Sequence, residues 1–214
     1  MLNTNESYKK IIKCIITVSL YFIWPSLIKL LINLLNIKEN ILLLFICNLV
    51  LLCIILLIYS RNLFNSLNKL SIKKIFYLFV ALLIVQLLTN LISVFILGIN
   101  NYKISCGILP QSLEKWPVLF AINLVCVYPI LESFVFSKSL RDVINDKWAF
   151  IICSALFFWI VNLSSFDFNI ASLFATISCF TSSIVFNYFY YKEDNISLII
   201  IVKMIYNLIF LLLP

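Results

Sequence analysis

Seven apolar stretches follow one another along the chain, at about residues 11–35, 41–59, 75–98, 117–143, 148–164, 168–190 and 196–213. Roughly 20 apolar residues in helix cross the hydrocarbon core of a bilayer, and a spanning segment must satisfy its own backbone hydrogen bonds. The pattern predicts an all-α, polytopic membrane protein of about seven transmembrane helices, with 1–214 as a single integral membrane domain. The fifth stretch is short. Composition agrees: 64% of residues are hydrophobic, mean hydropathy is +1.11, and only 12% are charged. Soluble domains carry about twice that charged share.

The N-terminal "ESYKKIIKCIITVSLYFIW" has the positive start and apolar run of a signal peptide, but no small-x-small cleavage site follows. The run continues through Pro25 and Lys29 to Leu35, which reads as a retained first helix. Lys and Arg then set orientation. With the N-terminus inside, eleven fall in cytoplasmic segments, among them Lys9, Arg61, Lys74, Arg141 and Lys192, and three (Lys38, Lys103, Lys115) fall outside. That bias predicts N-in and C-out. It also accounts for the net charge of +7 without nucleic acid. Segment 61–74 reads as a basic, solvated or interfacial cytoplasmic helix and 99–116 as the longest external loop. Heavy use of Ile, Leu, Asn, Lys and Phe points to an AT-rich, bacterial genome, and so to a bacterial cell membrane.

There is no histidine, so no imidazole serves as base or metal ligand within this chain. The seven cysteines are scattered without a C-x-x-C, and most lie in apolar runs, where Cys packs as a small hydrophobe.

Three ionisable residues lie well inside the apolar stretches: Lys29, Glu132 and Lys203. A charge at the bilayer centre costs roughly 2.5–3.5 kcal/mol on insertion scales, and such residues face the bundle interior and pair. Lys29 is near enough to the outer surface to snorkel. Glu132 and Lys203 have opposite signs. Glu132 precedes the cytoplasmic turn at Asp146 and Asn162 follows it, both at about 21–24 Å along their helices. Lys203 stands roughly 14 Å beyond the Asp194 turn, with a long stem to reach further, and Asn207 shares its helix face. Glu132, Asn162, Lys203 and Asn207 are therefore expected to converge on one polar pocket.

These residues, in this order and spacing, resemble the CPBP intramembrane metalloproteases (CAAX proteases and bacteriocin-processing enzymes, also called the Abi family). The family pattern is Glu-Glu-x-x-x-Arg, then Phe-x-x-x-His, then His-x-x-x-Asn or His-x-x-x-Asp on successive motif helices. In "ESFVFS" Glu132 matches the first glutamate, while Ser133 stands for the second and Ser137 for the arginine. In "FWIVN" Phe158 matches and Asn162 replaces histidine; in "KMIYN" Lys203 replaces histidine and Asn207 matches. The resemblance covers the motif-bearing core at 117–213 and implies a CPBP-type helix bundle.

In the family the glutamate activates water and the histidines bind metal or steady the transition state. One carboxylate, two amides and an ammonium make a poor divalent-metal site, since amides bind zinc weakly and an ammonium repels it. The expectation is thus no metal and no cofactor, with Lys203 as counter-ion to Glu132 in an eroded catalytic cavity. Glu132 is catalytic only if the chain is an active intramembrane peptidase, the first alternative. A serine nucleophile, Ser133 or Ser137 with Lys203 as base, lacks an oxyanion stabiliser. A small transporter or channel is the second alternative. The resemblance further implies bacteriocin self-immunity or a membrane scaffold, with the lipid bilayer and a peptide toxin or membrane protein as partners.

Overall fold

Helix boundaries fall where the sequence offers caps and breaks. In the computed structural model, which describes residues 4–35, 41–97, 117–163 and 170–212, Asp146 Oδ1 accepts from the Ala149 amide at 2.7 Å and starts a helix. Asn195 Oδ1 accepts from the Leu198 amide at 3.1 Å and starts another. Both satisfy amides that the first turn of a helix leaves without partners. Just before Asn195, Asp194 takes a left-handed backbone (φ 46°), which ends the helix Ile170–Glu193 and turns the chain into the next.

Among the described residues there are seven helices: α1 Thr4–Leu35, α2 Ile41–Leu67, α3 Ile72–Leu97, α4 Pro117–Arg141, α5 Lys147–Leu163, α6 Ile170–Glu193 and α7 Ile196–Leu212. No strand occurs among the described residues. Helices α1 to α4 contain segments long and apolar enough to cross a membrane. Helices α5 and α7 are apolar but have 17 residues each, and α6 has 24 residues with Thr and Ser along it. The chain is an all-α membrane protein.

Two details differ from the expected layout or fall beyond it. Arg61–Leu67 forms the last two turns of α2 and is not a separate interfacial helix. Nothing between Ile58 and Leu67 breaks the hydrogen-bond ladder; the break comes at 68–71, closed by the Lys69 amide on the Ser66 carbonyl at 3.1 Å. The expected external loop at 99–116 lies outside the described residues.

Helix α4 is the axis of the bundle. Phe134, Val135 and Phe136 are fully or almost fully buried. Tyr59 of α2 stacks on Phe134 with centroids 5.4 Å apart, Tyr21 of α1 meets Phe136 edge-on at 5.2 Å, and Phe158 of α5 meets Phe136 at 5.6 Å. Helix α6 packs on α5 through Phe150–Tyr190 and Trp159–Phe180, and its C-terminal end joins the start of α3 through Lys74 and Glu193. The outer faces carry bare apolar side chains, with Leu57 82% and Phe95 91% exposed. In water such a surface would aggregate; in a bilayer it faces lipid.

Candidate functional site

The site begins with a proline. Pro129 has no N–H, so the helix cannot run through it with an unbroken i→i−4 ladder. Helix α4 responds by widening: Asn123–Val127 is π-helical, Tyr128–Glu132 returns to α, and Ser133–Lys138 is π-helical again. Glu132 ends the short α turn between the two wide segments.

Lys203 approaches from the middle of α7, where it is only 8% exposed. Its Nζ donates to Glu132 Oε2 at 3.2 Å. The ammonium also lies 4.8 Å from the centroid of the Phe158 ring and 5.3 Å from that of Phe186. Aromatic faces attract a desolvated cation by up to about 2 kcal/mol. The lysine is therefore held on one side by a carboxylate and on others by ring faces, which offsets part of the cost of removing both charges from water. Tyr21 and Tyr128 lie within electrostatic reach of Glu132.

The two amides act differently. Asn207 Nδ2, one turn beyond Lys203, donates across to the Leu124 carbonyl of α4 at 2.8 Å. Asn162 Nδ2 donates to the Phe158 carbonyl of its own helix at 2.8 Å, so this hydrogen bond keeps it on α5. Of the four residues expected to converge, Glu132 and Lys203 meet and Asn207 reaches α4 through the Leu124 carbonyl, while the Phe158 ring joins them. The Asn162 amide is used within its helix. Ser133 Oγ donates to the Pro129 carbonyl at 2.6 Å, which directs its proton along α4. Ser137 is buried on the same helix at 2% exposure. Lys29 is exposed on α1, near Ser26 and Asn33.

Sequence reasoning missed Tyr21, Phe186 and the small polar cluster above the site. There Asn48 Nδ2 of α2 donates to the Tyr128 hydroxyl at 3.4 Å and to Asn123 Oδ1 at 3.5 Å. Asn48 was visible as an amide in an apolar stretch; the aromatic residues looked like any others in the core.

One carboxylate, two amides and an ammonium are poor donors for a divalent metal. One carboxylate oxygen, Oε2, accepts from an ammonium, and a cation beside Lys203 would meet like charge. Among the described residues no cluster of three or more His, Cys, Asp or Glu side chains stands ready to hold a metal.

Residues 114–209 match the family model described as type II CAAX prenyl endopeptidase Rce1-like. The matched stretch takes in α4 to α6 and most of α7, with Glu132, Phe158, Phe186, Lys203 and Asn207, while Tyr21 and Asn48 lie outside it. Over these helices the chain is similar to the CPBP family. No curated protein and no solved structure matches it. The match includes Glu132, Lys203 and Asn207, the residues on which the resemblance was read.

Proposed function

We propose that this chain is a non-catalytic CPBP protein of a bacterial cell membrane, with its N-terminus in the cytoplasm. It acts in self-immunity against a peptide bacteriocin; scaffolding or regulating another membrane protein is the related role. The observation that carries the non-catalytic reading is the ion pair between Lys203 and Glu132. A general base takes a proton from water, and here an ammonium stands against Oε2 of the carboxylate in its place. The immunity role rests on the family resemblance, and the basic cytoplasmic segments support the orientation.

The test pairs two assays on wild type and Glu132→Gln. Cells expressing the wild-type chain should survive the peptide bacteriocin of the strain that encodes it, and Glu132→Gln should protect as well. Neither protein, reconstituted in liposomes, should cleave CAAX or bacteriocin-precursor peptides. Cleavage by wild type that disappears in a folded Glu132→Gln protein would establish the second reading, an active intramembrane peptidase. The match to an endopeptidase family model, with the first motif glutamate retained, is what favours that reading.

A further inference from the structure

The backbone of α4 carries a fault that only another helix repairs. In the first π segment the Tyr128 amide donates to the Asn123 carbonyl, five residues back. That takes away the i+4 amide on which the Leu124 carbonyl would rely in an α-helix. Its i+5 partner would be residue 129, which is proline and has no N–H. The Leu124 carbonyl is thus left without either helical donor inside an apolar bundle, where an unmade hydrogen bond is costly. Asn207 Nδ2 of α7 supplies the donor, at 2.8 Å.

The second π segment is repaired from within. The Ser139 amide donates to the Phe134 carbonyl, and the Ser139 hydroxyl donates to the Val135 carbonyl, which has lost that amide. One repair is local to α4; the other ties α4 to α7. The tie stands one turn above Lys203 on the same face of α7, and Glu132 lies on α4 between the two faults. Helices α4 and α7 run antiparallel, so Asn207–Leu124 and Lys203–Glu132 are two rungs between the same pair of helices.

We propose that Asn207 is a positioning residue: it clamps the backbone of α4 where Pro129 interrupts the ladder, and so fixes the register in which Glu132 meets Lys203. It acts on a main-chain carbonyl, and the role holds whether or not the site turns over a substrate.

Restoring the missing amide tests this. With Pro129→Ala, residue 129 regains an N–H, and the Leu124 carbonyl gains a donor within α4. Asn207→Ala alone should lower the folded-to-unfolded ratio in detergent roughly tenfold, the size of one buried hydrogen bond. In the Pro129→Ala background the same change should lower it no more than about twofold, because the clamp has become dispensable. A carbon-13 label at the Leu124 carbonyl should show its infrared band rise in Asn207→Ala and return in the double variant. An equal penalty for Asn207→Ala in both backgrounds overturns the proposal, as does a Leu124 band unmoved by Asn207→Ala. If Asn207→Ala does not fold, recovery of folding by Pro129→Ala supports the clamp, and failure to recover contradicts it.

Discussion

At the scale of single residues, the energetics turn on what happens to one charge when the other is removed. Glu132→Ala leaves the Lys203 ammonium among Phe158, Phe186 and apolar helix faces. Breaking a buried pair from one side costs about 3–5 kcal/mol. Thermal unfolding in detergent should therefore show Glu132→Ala as strongly destabilised. The exchanged pair, Glu132→Lys with Lys203→Glu, should recover a large part of the loss. Both partners were legible in the sequence, because a charge in an apolar stretch declares that something must meet it. Their meeting was legible too, from helix rise and side-chain reach. Phe186 and Tyr21 were not, since an aromatic residue in a membrane helix looks the same whether it lines a site, fills a core or faces lipid. Asn162 was read as part of the pocket because its depth is right; the structure shows its amide spent on the Phe158 carbonyl, an arrangement that spacing alone cannot separate from an interhelical bond.

At the scale of elements, polar residues at the ends of apolar runs did most of the specifying. The side chains of Asp146 and Asn195 cap α5 and α7. Asp146→Ala should lower stability by about 1 kcal/mol in the same unfolding assay, the usual worth of an N-cap. The seven helices were legible from hydropathy. The interior of α4 was not: Pro129 announced a disturbance, but a kink, a break and a widened turn all satisfy a missing amide. The choice depended on Asn207, 78 positions further along, donating to Leu124. The end of α2 shows the converse. Polar composition suggested that Arg61–Leu67 left the membrane as a separate interfacial helix, whereas an unbroken ladder carries it out as a continuation of α2.

At the scale of the whole molecule, apolar area and the placement of charge decide how the bundle sits. The lipid-facing surface includes Leu57, Phe95 and many others, while Lys74 and Glu193 join α3 to α6 at the basic end. Lys74 is half exposed, so Glu193→Gln should change stability by less than about 1 kcal/mol. The basic end is expected to be cytoplasmic. A phosphatase fused after α7 should be active outside the membrane, and the same reporter in the 68–71 turn should be inactive.

The central claim is that Lys203 and Glu132 hold each other, and a double-mutant cycle measures that directly. Unfolding free energies of wild type, Glu132→Gln, Lys203→Met and the double variant in one detergent give the coupling between the two side chains. The ion-pair account predicts that the double variant loses less stability than the two single losses added together, by more than about 1 kcal/mol. Losses that add within about 0.3–0.5 kcal/mol would mean that the two residues do not hold each other.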